Sequence, residues 1–182
     1  MEVQPLHIPS VLLIRPKVFG DARGFFFESW QERSFAQAGL EMKFVQDNHS
    51  RSTRHILRGL HYQTRQTQGK LVRVVNGAVF DVAVDIRRGS PTFGKWAGVT
   101  LSDENHHMLW VPPGFAHGFL VLSDVADFVY RCTDYWSPAH ERSILWNDTD
   151  LDIEWPLPAG TAPQLSGKDL AGVRFRDAEY LP

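Results

Sequence analysis

Two histidines stand in segments equipped for chemistry. His61 sits in Arg58-Gly59-Leu60-His61-Tyr62-Gln63, and His117 in Pro112-Pro113-Gly114-Phe115-Ala116-His117-Gly118-Phe119. Imidazoles serve proton transfer near neutrality or metal ligation. Arg58 and Lys70 lie nearby, inside strand-like apolar patterns where a lone buried charge is costly. Arginine suits bidentate recognition of phosphate, and lysine supplies a point charge. From Asn48 to Phe80 there is no Asp or Glu, while Arg51, Arg54, Arg58, Arg65, Lys70 and Arg73 all fall there. A solvated basic surface accounts for any one of these arginines. Taken together with His61, they point to an anionic ligand held inside a β-structure.

The metal reading and the acid–base reading separate on the donors. The His117 segment resembles the second cupin motif, Pro-x-Gly-x-x-His. The His61 segment resembles the first, in degraded form. Gln63 stands where a metal-binding cupin has its second His, and Gln66, Gln68 and Lys70 surround the place of its Glu. A divalent ion needs three or four N or O donors, and an ammonium repels it. The expectation is therefore no metal. A lone histidine is by default a hydrogen-bonded core residue; two histidines, a lysine and an arginine converging on one lumen argue otherwise. His106 and His107 adjoin a turn, and His7, His49, His55 and His140 read as surface residues. The single cysteine, Cys132, excludes an internal disulfide and a thiolate-rich metal site.

Strands must position these groups. Val72-Arg73-Val74-Val75 and the run 78–86 flank Asn76-Gly77, a hairpin signal. In the second run Phe80, Val82, Val84 and Ile86 alternate with Asp81, Ala83, Asp85 and Arg87, which predicts one apolar and one polar face. Further strands are expected at 24–30, 43–48, 56–63, 96–101, 107–111, 115–122 and 125–133, and helices at 31–38 and around 168–170. Many short strands in 182 residues predict an all-β, cupin-like double-stranded β-helix (jelly roll) with a few short helices, forming a single domain over 1–182. An immunoglobulin sandwich usually needs only about 100 residues.

Composition narrows the class. The chain is 43% hydrophobic and 22% charged, with 19 Lys and Arg against 21 Asp and Glu, a net charge of −2. That argues for a packed globular core and against disorder or a nucleic-acid partner. The N-terminus lacks a basic signal region, and its apolar run, Val11-Leu12-Leu13-Ile14, falls short of the ~7–15 residues of a signal core and the ~20 of a membrane span. The expected location is the cytoplasm, with no membrane partner.

The assembled motifs resemble the dTDP-4-dehydrorhamnose 3,5-epimerase family. They include Asp21-Ala22-Arg23-Gly24-Phe25-Phe26-Phe27-Glu28, Gln46-Asp47-Asn48-His49-Ser50, the His61 and His117 segments, Gly69-Lys70-Leu71-Val72-Arg73, Ser90-Pro91-Thr92-Phe93-Gly94, Trp146-Asn147-Asp148 and Leu165-Ser166-Gly167-Lys168-Asp169. The resemblance implies a metal-free enzyme that acts on a dTDP-4-keto sugar and needs no cofactor. His61 resembles the family's base, Asp169 its partner in a His–Asp dyad, Tyr130 the acid on the opposite face, and Lys70 the group that holds the enolate oxygen. From strand position alone Tyr130 reads as a core tyrosine, and Asp169 as a helix cap after Ser166. For the nucleotide, the resemblance points to Arg23, Arg58 and Lys168 for phosphates, and to Gln46, Asp47 and Asn48 for polar groups. His117 belongs to the substrate pocket, Glu28 and Glu141 are acceptors, and Trp136 stacks on thymine or packs at the rim. Asp81 is expected behind a lumen histidine, and Asp85 as an ordinary hairpin charge. The family's dimers exchange N-terminal strands. This implies a homodimer in which Arg23 and Glu28 serve the neighbour's site, and loss of activity and dimerisation on truncating the first thirty or so residues. Related 3-only or 5-only epimerases, 3,4-ketoisomerases, a metal-dependent cupin and a non-catalytic binding cupin are the alternatives.

Overall fold

The structure, a computed structural model, describes residues 1–182. Its strands are β1 (Glu2–Pro5), β2 (Leu12–Arg15), β3 (Phe19–Asp21), β4 (Gly24–Phe26), β5 (Gln46–Thr53), β6 (Leu57–Gln63), β7 (Lys70–Asn76), β8 (Ala78–Asp85), β9 (Trp96–Ser102), β10 (Met108–Val111), β11 (Phe115–Val121), β12 (Val125–Cys132) and β13 (Glu141–Ser143). The helices are α1 (Glu32–Gln37) and α2 (Gly167–Leu170). Two antiparallel sheets form the body, ordered β1-β2-β10-β7-β12-β5 and β13-β6-β11-β8-β9, and β3–β4 is a separate hairpin. This is the expected jelly roll.

The core lies between the sheets. Val72, Val74, Leu109 and Phe128 of the first sheet meet Val79, Ala83, Leu101 and Val121 of the second. Each fully buried side chain of this size contributes about 1.5–3 kcal/mol. The outer face of the second sheet is covered as well, because Ile144, Leu151, Phe175 and Leu181 of the C-terminal segment pack on Leu60, Val82, Val84 and Ile86. Every residue of β11 is therefore buried.

The hairpin at Asn76-Gly77, the role of Asp85 and the bounds of one strand differ from expectation. Asn76-Gly77 joins no hairpin, since β7 pairs with β10 and β12 while β8 pairs with β11 and β9. The chain crosses there from one sheet to the other. Gly77 takes φ +79° and its N–H donates to Asp103 Oδ2 at 3.0 Å; a Cβ would stand 2.1 Å from the Val125 carbonyl oxygen. The two faces of β8 differ as expected, but neither meets solvent. Its apolar residues lie under the C-terminal segment, while Asp81 and Ala83 turn inward, and Asp81 and Asp85 are both fully buried. Asp85 is no ordinary surface charge: it accepts from Arg87, Ser90 and Thr92 and so organises the turn after β8. Burial alone would raise its carboxyl, but these donors prevail and bring it to about 2. Finally, β5 runs over Gln46–Thr53 rather than 43–48. Its sequence has no apolar alternation, and it forms because every residue pairs with β12, from Gln46 opposite Cys132 to Thr53 opposite Val125.

Candidate active site

The register places the two histidines directly opposite one another, His61 on β6 and His117 on β11. Two glycines permit this. A Cβ on Gly59 would lie 2.6 Å from Gly118 Cα, and one on Gly118 2.6 Å from the Arg58 carbonyl oxygen. Gly59 also takes φ +119°, which breaks the strand's alternation. Arg58 and His61, three residues apart, then face the same cleft, where a regular strand would separate them.

That cleft has a volume of ≈ 400 Å³ and opens between the sheets. Its second-sheet wall bears Arg58, His61 and His117, and its first-sheet wall bears Gln46, Asn48, Lys70 and Tyr130. Trp136, Glu141 and Lys168 rim it. Asp169 stands behind His61. Three of the expected site residues lie elsewhere. Arg23 is at the exposed tip of the β3–β4 hairpin, paired with Asp21. Glu28 follows that hairpin and is exposed. Asp47 faces away because the pleat turns it opposite to Gln46 and Asn48, and its nearest cation is Arg131 at 3.9 Å. Arg58 differs from expectation in another way: it is exposed, whereas Lys70 is buried.

Asp169 comes from α2, 108 residues beyond His61. The Ser166 hydroxyl caps the helix by accepting from the Asp169 N–H, and the Asp169 carboxylate accepts in return from the Ser166 hydroxyl at 2.6 Å. Its other oxygen accepts from His61 Nε2 at 2.6 Å and from the Gly59 N–H at 3.1 Å. The cap and the dyad are thus one carboxylate. Burial would raise it, but the bonds from His61, Ser166 and Gly59 outweigh that and hold it well below the ordinary carboxylate range. An ionised carboxylate only accepts, so Nε2 carries the proton and Nδ1 keeps its lone pair. A second pair backs it: His117 Nε2 lies 2.9 and 3.0 Å from the oxygens of the buried Asp81.

Burial tunes Lys70 and the Tyr130 phenol. Burial lowers the Lys70 ammonium below the ordinary lysine range, against the opposing pull of Cys132, Glu141 and Asp81. It pushes the Tyr130 phenol up to about 12, with Cys132 and Glu141 adding to the shift and Arg58 opposing it. At the mouth Glu141 pairs with Lys168. Burial would raise Glu141, but Lys168 and the Trp136 indole prevail and lower it. Arg58 donates to Ser52 at 3.0 Å through Nε, leaving its terminal nitrogens for a ligand. No three of the His, Cys, Asp and Glu side chains are grouped to hold a metal ion. Sequence reasoning missed Gln63 and Gln68 as cleft residues. The signal for Gln63 was its position two residues after His61, on the same face.

Fold and site together define a jelly-roll protein with an acid–base pocket between its sheets. The family model for dTDP-4-dehydrorhamnose 3,5-epimerase matches residues 5–177, and the chain belongs to that family. It is 60% identical over 183 residues to the dTDP-4-dehydrorhamnose 3,5-epimerase of Pseudomonas aeruginosa, covering 100% of both chains. A dTDP-6-deoxy-D-glucose-3,5-epimerase from Legionella pneumophila, solved in complex with dTDP-4-keto-L-rhamnose, superposes with a TM-score of 0.94 at 53% identity, over 98% of this chain and 94% of that one. A 3'-monoepimerase from Streptomyces bikiniensis, solved with dTDP-quinovose, gives 0.88 at 37%, over 94% and 87%. No helix is long and apolar enough to cross a membrane.

Proposed function

We propose that the protein inverts C3 and C5 of dTDP-4-keto-6-deoxy-D-glucose to give dTDP-4-keto-L-rhamnose. The observation that carries this reading is an imidazole and a phenol on opposite walls of one cleft, His61 on the second sheet with Asp169 of α2 behind it and Tyr130 on the first; these suit the roles of base and acid. The sugar's C4 keto group acidifies the protons at C3 and C5. His61 Nδ1 takes one of them, the electron pair moves to O4, and Lys70 stabilises the oxyanion. Tyr130 returns a proton from the other face. One C–H bond breaks and one forms, so composition and oxidation level are unchanged, and a second round inverts the second centre. Arg58 and Lys168 bind the diphosphate, Gln46 and Asn48 the polar groups of sugar or base, and Trp136 stacks on thymine.

Heavy water tests this directly. Turnover in it places deuterium at both C3 and C5. Label at one carbon only contradicts the double inversion and favours monoepimerase chemistry like that of the Streptomyces relative.

Lys70 supplies a pH prediction. Its lowered pKa means it loses its proton at lower pH than a solvated lysine, which titrates near 10.4. kcat/KM therefore falls on the alkaline side below that value. Tyr130, at about 12, remains protonated throughout and does not produce this limb. Lys70→Arg moves the limb to higher pH, because a guanidinium stays charged. A limb that stays in place in Lys70→Arg assigns it to another group.

The working form is a homodimer, active in the cytoplasm, with one catalytic domain per chain. Phe19, Phe25 and Phe26 of the β3–β4 arm are exposed, and Arg23 and Glu28 are absent from their own chain's cleft. An arm that crosses to a second copy covers those rings and brings both residues to the partner's site.

A further inference from the structure

Gln63 is 5% exposed and lies on β6 beside the cleft. A carboxamide has two N–H donors and one acceptor oxygen, and each is used. Nε2 donates to the Gln66 carbonyl at 2.7 Å and the Tyr135 carbonyl at 3.2 Å, while Oε1 accepts from the Ser137 N–H at 2.8 Å. Tyr135 and Ser137 flank Trp136, whose own N–H donates to Gln46 Oε1 at 2.9 Å. Next to them, Gln68 Nε2 donates to the Asp134 carbonyl at 2.9 Å. Thus the main chain is fixed on both sides of a tryptophan that is itself 56% exposed. A large exposed ring on an immobilised backbone is poorly explained by core packing and well explained by recognition of a flat ligand.

We propose that Gln63 is a positioning residue for nucleotide recognition, presetting the Trp136 ring at the mouth of the cleft so that the pyrimidine base meets a finished platform. The proposal rests on the reading of Trp136 as the base platform. Because the loop is ordered before the ligand arrives, its ordering does not weaken binding. All three hydrogen bonds of Gln63 go to the backbone of residues 66, 135 and 137 and none to His61 or Asp169, so the chemical step is unaffected.

Gln63→Met is close in shape, neutral, and removes all three bonds. It is compared with Trp136→Ala and the double variant, using calorimetric titration with dTDP, steady-state rates with dTDP-4-keto-6-deoxy-D-glucose, and a thermal melt to establish the folded fraction. Losing the ordering of one loop side chain raises Kd for dTDP and KM by roughly three- to tenfold. kcat stays within about twofold, and Gln63→Met adds nothing to Trp136→Ala, as expected for two residues acting as one unit. A fall in kcat at constant KM, or a loss that adds to that of Trp136→Ala, overturns the proposal. If Trp136→Ala weakens dTDP binding and Gln63→Met does not, the proposal alone fails. If Trp136→Ala binds dTDP as tightly as the parent, the platform reading fails and takes the proposal with it. A parent that binds dTDP without epimerising the sugar defeats the assigned reaction and leaves the calorimetric test intact. Should Gln63→Met not fold, Gln63→Glu keeps the shape and the acceptor for Ser137 but loses both donors, and the same separation of KM from kcat is expected.

Discussion

His61→Asn retains its affinity for dTDP and loses turnover by about a thousandfold or more. General acid–base groups contribute roughly 10²–10⁴-fold, and His61 is the only imidazole in the cleft whose Nε2 is committed to Asp169. His117 does not replace it, because its ring is buried while that of His61 is open to the cleft. Asn fits the space, and although its shorter amide does not reach Asp169, that carboxylate keeps its bonds from the Ser166 hydroxyl and the Gly59 N–H, so the tail remains docked and the thermal midpoint should stay near the parent's. Asp169→Asn should also be slow, for a different reason: a neutral amide no longer stabilises the imidazolium that forms when His61 takes the proton. The measurement is kcat and dTDP affinity on each variant. Turnover at the parental rate in His61→Asn removes His61 from the mechanism.

How much of this was legible in the sequence depends on how locally each feature is encoded. His61 and His117 were legible because each sits in a short strand with its own turn and glycines. The helix read at 31–38 was legible too, since Gly39 marks its end; it spans Glu32–Gln37, with Gln31 as its cap. The dyad was not encoded locally. Asp169 reaches His61 only because the C-terminal segment packs on the outer face of the second sheet, and without the family resemblance a cap after Ser166 was an equally good account. The Asn76-Gly77 hairpin failed because a turn sequence specifies a bend and leaves open which sheet receives the next strand. In β5, where neither face is apolar, the pattern marked no boundary, and the period of two that separates Asp47 from Gln46 and Asn48 becomes apparent only once β12 fixes the strand. Gln63 was overlooked for a similar reason. As a sequence letter it marked a missing metal ligand, and its work becomes visible only with the loop 134–137 folded against it.

Tyr130→Phe separates proton removal from inversion. The substitution deletes only a hydroxyl, and the ring keeps its place beside Phe128, 5.9 Å between centroids. Product formation should fall by about a hundredfold or more, with dTDP affinity within twofold of the parent. In heavy water the outcome is more specific. His61 still removes the proton and Lys70 still holds the enolate, so the imidazolium returns hydrogen to the face it came from, and exchange with solvent introduces deuterium there without inverting the carbon. The ratio of deuterium incorporated to centres inverted should therefore rise well above that of the parent. The phenol suits the missing step because burial pushes it up to about 12: it is protonated at neutral pH, and the tyrosinate left after donation is basic enough to recover a proton from solvent before the second round. Equal loss of exchange and inversion would place Tyr130 in proton removal instead, and unchanged inversion would leave the phenol a packed core residue, as its strand position alone suggested.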